Sequence, residues 1–157
     1  MSISLIKSVL HNVGVLFVGL LFAFLCRRLD VLLGIKAFHF LPATVAGYLL
    51  VAAGFLLRVW ATFYFYQRRM DVIRLVPQAQ LIAGGPYRFS RNPLYLGGNG
   101  LIFGGAALLA GSPSGIVLTA LNVVLVDRVM VRREERQLAS QFGAEWTQYR
   151  GRVRRWM

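Results

Sequence analysis

The chain predicts an all-α, integral membrane fold of about four transmembrane helices, with short interfacial helices on the cytoplasmic side. Three observations predict it. The 157 residues are 57% hydrophobic, with mean hydropathy +0.58, which is too apolar for a soluble domain of this size. The apolar residues gather into four long spans. The formal net charge of +12 is carried mainly by arginines beside those spans, a distribution that fits membrane topology and anionic lipid better than nucleic acid. No metal site is expected. Cys26 is the single cysteine, and His11 and His39 stand far apart with no carboxylate motif near them. That leaves neither an internal disulfide nor Cys-His metal spacing.

The first span covers about Val9 to Cys26. Lys7 followed by an apolar run resembles the start of a signal peptide, but no small-residue cleavage site follows it. Leu25 before Cys26 does not fit a lipoprotein site either, so the stretch is read as a retained transmembrane helix. The second span covers about Phe40 to Phe65, the third Leu94 to Ala110, and the fourth Gly115 to Val131. Seventeen helical residues rise roughly 25 Å, enough for a thin crossing. Gly111-Ser112-Pro113-Ser114-Gly115 reads as a tight turn, so spans three and four form an antiparallel hairpin. Asp30 to Phe38 is read as a short helix on the outer face.

Orientation follows from charge. The segment between spans two and three carries Arg68, Arg69, Arg74, Arg88 and Arg91 against Asp71, and the tail carries eight arginines from Arg128 to Arg155. The Gly111 to Gly115 turn carries no charge. The positive-inside rule then puts both basic segments and both termini in the cytoplasm, with Arg27, Arg28 and Lys36 outside.

Two polar motifs bracket the apolar hairpin. Asn92-Pro93 has the form of a helix start, with Asn as N-cap and Pro at the first helical position. Its free N–H groups are suited to a carboxylate or phosphate, or it is an ordinary loop-to-helix junction. Gly97, Gly100 and Gly104 follow at helical spacing, with Gly98 and Gly105 beside them. That bare face either packs against a neighbouring helix or admits a flat cofactor near Gly97 to Gly100. Glu134 and Glu135 are two of only six acidic residues. They hold either a ligand's ammonium or hydroxyl groups, or merely Arg132, Arg133 and Arg136 on a solvated turn. Arg58 and Asp127 lie within or at the ends of spans two and four, where ionisable groups pair, line a cavity or snorkel. Past Gly143, Trp146, Tyr149 and Val153 share one face of an interfacial helix that is also placed to cover a pocket.

The run Gly85-Pro86-Tyr87-Arg88 … Arg91-Asn92-Pro93-x-Tyr95-x-Gly97, followed by Glu134-Glu135-x-x-Leu138 … Phe142-Gly143 … Tyr149 … Val153, resembles the isoprenylcysteine carboxyl methyltransferase family, to which phospholipid methyltransferases are related. The two motifs in this order, separated by a hairpin, carry the resemblance. It implies one membrane domain over residues 1–157, with 84–156 as a cofactor-binding core, and S-adenosylmethionine as cofactor. The implied cofactor-binding residues are Tyr87, Arg88, Asn92, Pro93, Tyr95, Gly97, Gly98, Gly100, Glu134, Glu135 and Tyr149. Gly98-Asn99-Gly100 looks like a Gly-x-Gly element of the phospholipid branch. The chain departs from the pattern in three places. Asn92 stands where His is frequent, Trp146 where Tyr is common, and Met130 where some members carry an Arg four residues before the first Glu.

The expected activity is methyl transfer by direct displacement to a lipidic or small hydrophobic acceptor bearing a carboxylate, amine or thiol. Glu134 is the candidate catalytic base for an amine. Membrane lipids are the expected surroundings, and the short chain is read as residing in a prokaryotic inner membrane. Two other classes remain at this level: a non-catalytic protein using its glycine face for oligomerisation and its arginines for anionic lipid, and an NADPH-dependent sterol-type reductase relative.

Overall fold

The computed structural model describes residues 3–68 and 80–157, the side chain of Ser4 excepted. Arg69, Asp71 and Arg74 of the expected basic segment lie outside the described residues. Four helical rods carry the fold, and no strand occurs among the described residues. α1 is Ile3–Leu32 and α2 is Leu41–Gln67. A 3-10 turn at Gly85–Arg88 leads to α3, Pro93–Leu109, and α4 is Pro113–Arg152. α1, α2 and α4 are long and apolar enough to cross a membrane, and α3 is a shorter apolar helix.

The lipid-facing surface is built as composition demands. Leu20, Phe24, Leu41, Leu49, Leu56, Leu121 and Leu125 are all exposed on α1, α2 and α4. In water such surface is unfavourable, and in hydrocarbon it costs nothing. Inside, small residues let α2 and α3 approach closely. A Cβ on Gly54 would lie 2.5 Å from the Gly97 carbonyl, and one on Gly97 would lie 2.8 Å from the Gly54 carbonyl. Gly47 and Gly105 repeat the arrangement two turns away, at 3.0 and 2.7 Å from each other's carbonyls.

The expected face of Gly97, Gly100 and Gly104 is therefore corrected to Gly97, Gly98 and Gly105. Gly104 meets only Thr119 of α4, and Gly100 only its own helix. The cause is a π-helical stretch at Leu96–Ile102. Its wider turn adds a residue, so a register counted at 3.6 residues per turn slips.

The two ends of the bundle differ. At one end the α1–α2 connection meets the α3–α4 turn. The Phe38 N–H donates to the Gly111 carbonyl at 3.1 Å. The buried Asp30 carboxylate accepts from the Ser112 hydroxyl and from the Ser114 N–H at 3.1 Å. Ser112 is a true N-cap, accepting from the Gly115 N–H at 3.0 Å. No short helix forms over Asp30 to Phe38. α1 continues to Leu32, and Gly34 at φ +70° ends the run.

At the other end, Ser8 and Asn12 of α1 join Thr62 of α2. Arg58 of α2 donates from Nε to Asn12 Oδ1 at 2.8 Å and from Nη1 to the Leu94 carbonyl at 2.5 Å. It neither snorkels to the headgroups nor pairs with Asp127; it ties α1 and α2 to the start of α3.

Candidate active site

The site lies at this second end, where the segment before α3, the polar half of α4 and the last residues of the chain converge. Pro93 opens α3 at a position that needs no donor, as expected. Asn92 does not cap it. Its Nδ2 instead donates to the Arg155 carbonyl at 3.2 Å. Ser90 fixes the corner, accepting from the Asn92 N–H at 3.1 Å and donating to the Arg155 carbonyl at 3.2 Å. The Arg91 N–H donates to the Arg154 carbonyl at 3.0 Å. The tail thus runs back along Ser90 to Asn92 and fastens it.

α4 is bent toward the same place. A second π-helical stretch covers Asp127–Val131, just ahead of the glutamate pair. Gly143 then takes φ +48°, a conformation that kinks the helix and that only glycine adopts without strain. Beyond the kink Trp146 and Tyr149 are buried, and the Tyr149 hydroxyl donates to the Tyr87 carbonyl at 2.8 Å. The cap-like segment past Gly143 expected from sequence therefore closes onto the 3-10 turn.

The glutamates differ in partner. Tyr95 donates its hydroxyl to Glu134 Oε1 at 2.6 Å, bridging α3 and α4. Glu135 is gripped through both oxygens by Arg155, with Nε at 3.2 Å and Nη2 at 2.7 Å, and Arg91 Nη2 lies 3.4 Å away. Asp127 takes Arg155 at 3.4 Å, Arg132 at 3.5 Å and the Trp156 indole N–H at 3.2 Å. Among the described residues, the ion pairs of Glu135 and the hydrogen bond of Glu134 therefore reach across the fold, rather than to Arg132, Arg133 and Arg136 on the same turn. The hydrogen bond to Glu135 raises Arg155 above the ordinary arginine value. Burial pushes Arg91 below it, with Glu135 opposing; both remain charged at neutral pH.

These groups surround a cleft that opens to solvent at its mouth. Seven of the sequence-expected residues line it: Tyr87, Asn92, Pro93, Tyr95, Glu134, Glu135 and Tyr149. Arg88 is exposed and outside it. Gly97, Gly98 and Gly100 do not line it. Gly97 and Gly98 lie against the Arg58 side chain, so the bare glycine face receives α2.

The cleft also holds Trp146, which the sequence placed on a face able to cover a pocket, and residues outside the expected cofactor set: Phe65 of α2, Leu81, Ile82, Leu94, Leu138 and Arg91. Arg91 stood inside the quoted motif, and its place next to Asn92-Pro93 was the available signal. Phe65, Leu81 and Ile82 carry no signal, because any apolar residue at those positions reads as span or loop. Met130, where some relatives carry an Arg, is exposed.

Chemically, the cleft combines an aromatic and aliphatic wall with a carboxylate whose one oxygen is fixed by Tyr95 and with a buried guanidinium. That set fits a ligand having a planar apolar part, a cationic centre and an anionic group. A family model described as phospholipid methyltransferase matches residues 42–145, about two thirds of the chain. No curated protein and no solved structure matches.

Proposed function

The chain belongs to the phospholipid methyltransferase family, and on that premise we propose that it is an S-adenosylmethionine-dependent methyltransferase of a lipidic or small hydrophobic acceptor. The family is one of methyltransferases, and three long apolar helices with a shorter fourth make this member a membrane protein. The observation that carries the finer reading is the cleft itself. It joins the Tyr87–Tyr95 segment to the Glu134–Tyr149 segment, across the apolar hairpin that separates them in sequence.

S-adenosylmethionine, when bound, supplies a methyl group made electrophilic by the adjoining sulfonium. The protein's part is alignment and exclusion of water. Tyr87, Trp146, Tyr149 and Phe65 offer aromatic walls to the nucleoside and to the cationic centre. Tyr95 holds Glu134 in one orientation. Glu134 keeps its second oxygen for an ammonium or a hydroxyl, or for the proton of an amine acceptor. An ionised carboxylate or thiolate acceptor needs no base. Asn92 and Pro93 line the cleft, while Gly97 and Gly98, outside it, let α2 and Arg58 pack against α3. Leu81, Ile82 and Leu94 give the cleft an apolar side suited to an acceptor arriving from the bilayer. The arginine-rich tail supports a cytoplasmic position for this end by the positive-inside rule.

The glycine face that motivated an oligomerisation role is occupied by α2 of the same chain, which leaves that alternative without its main feature. The test is transfer of labelled methyl from S-adenosylmethionine into the extractable lipid of membranes containing the protein. Label above that of membranes with Glu134→Ala and Tyr95→Phe variants supports the proposal. Equal incorporation with and without the protein contradicts it.

A further inference from the structure

Arg91 sits in the wall of the cleft with its side chain only 8% exposed. Its Nη2 meets Glu135 at 3.4 Å, and the guanidinium lies 5.6 Å from the centre of the Trp146 ring. Nε and Nη1 are buried and have no hydrogen-bond partner among the described residues. Buried donors without partners are uncommon in folded proteins, because nothing replaces the water they lost.

The acids nearby do not answer this one. Glu135 is held through both oxygens by Arg155. Asp127 is engaged by Arg155, Arg132 and Trp156. Glu134 reaches Tyr95. Around Glu135 two guanidiniums therefore share one carboxylate, and Arg91 meets it through Nη2 alone, which leaves Nε and Nη1 to face the partly dry cleft. The head group is also preset: its backbone N–H is tied to the tail and Trp146 lies against it.

We infer that Arg91 forms an oxyanion subsite of the cleft, taking a carboxylate or phosphate of the bound molecule on Nε and Nη1. The inference rests on the reading of the cleft as the cofactor and acceptor site. Two molecules in that reading carry such a group. One is the cofactor, through the carboxylate of its amino-acid end. The other is a membrane acceptor with an acidic head group. A guanidinium donating charge-assisted hydrogen bonds serves either.

The experiment compares S-adenosylhomocysteine with 5′-methylthioadenosine, which keeps the nucleoside and thioether but lacks the amino-acid end. Binding is measured by calorimetry on the detergent-purified wild type, Arg91→Gln and Arg91→Lys. A second arm measures the thermal stabilisation given by dihexanoyl phosphatidic acid relative to dihexanoyl glycerol. If the subsite takes the cofactor, Arg91→Gln weakens S-adenosylhomocysteine about tenfold or more and leaves 5′-methylthioadenosine within about twofold. If it takes the acceptor, both nucleosides bind Arg91→Gln as they bind wild type, and the stabilisation by phosphatidic acid is lost. Arg91→Lys keeps the charge, loses part of the selectivity in either arm, and keeps the comparison readable if Arg91→Gln does not fold. The inference is overturned if both nucleosides weaken equally with lipid stabilisation unchanged, or if the variants match wild type in both arms. A folded wild type that binds neither nucleoside contradicts the reading of the cleft, while the lipid arm still decides the role of Arg91.

Discussion

Glu134 and Glu135 are adjacent in sequence and unlike in surroundings, and single substitutions separate their roles. Glu135 anchors the tail through Arg155 and counters Arg91. Neutralising a buried partner leaves charges uncompensated, at a cost of about 3 kcal/mol or more. Glu135→Gln is therefore expected to lower the thermal midpoint clearly and to free the residues after Val153 for proteolysis. Arg136→Gln, at an exposed position, is expected to stay within about 0.5 kcal/mol of wild type. Thermal unfolding in detergent with limited proteolysis distinguishes the two. Tyr95→Phe removes one hydroxyl that donates to Glu134. A hydrogen bond to a charged group contributes roughly 1.5–3 kcal/mol. Methyl transfer should fall roughly tenfold or more while the unfolding midpoint moves little, a split that paired rate and melting measurements would show. The sequence marked both glutamates and Tyr95 because their types and order are recognisable. It did not reveal which glutamate faces Tyr95 and which faces Arg155, since that depends on how α4 is turned by the π stretch at Asp127–Val131.

At the scale of elements, two features of backbone geometry position the site, and composition shows neither directly. The π stretch at Leu96–Ile102 rotates the glycines of α3 toward α2. Gly97→Leu should therefore prevent folding, because its side chain would meet Arg58 and the Gly54 carbonyl within 3 Å. Gly100→Ala should fold with wild-type stability, since its Cβ meets nothing nearer than Leu96 at 3.7 Å. Size-exclusion profiles and melting curves of the two variants test the register. If both were equally tolerated, the packing described for α2 and α3 would be wrong. The kink at Gly143 is a cleaner case. A Cβ there has nothing within 4 Å, so the cost of Gly143→Ala is the positive φ alone, about 1–3 kcal/mol. That variant should loosen Trp146 and Tyr149 from Tyr87 and weaken ligand binding more than it lowers the melting point. Helix spans and the hairpin turn were legible because hydropathy and Gly-Pro punctuation are local signals. The boundary at Leu32, the missing helix over Asp30 to Phe38 and the π turns were not, because they are set by contacts between distant segments.

For the whole molecule, the division of labour runs along the bundle axis. One end is clamped by Asp30, Ser112 and Ser114. The middle is held by glycine contacts, and the other end gathers charge, aromatic rings and a cleft around the joined motifs. The order of the two motifs made that convergence readable in advance. Their partners in the second half of the site, Phe65 on α2 and Arg155 at the tail, became visible only once the chain was folded. The central claim is that this end binds an adenosyl cofactor. It is tested most directly by calorimetric titration of detergent-purified protein with S-adenosylhomocysteine. The account predicts saturable binding of one ligand per chain, weakened by Glu134→Ala and by substitutions at Arg91. Absence of binding at millimolar ligand, by a sample with a cooperative melting transition, would contradict it.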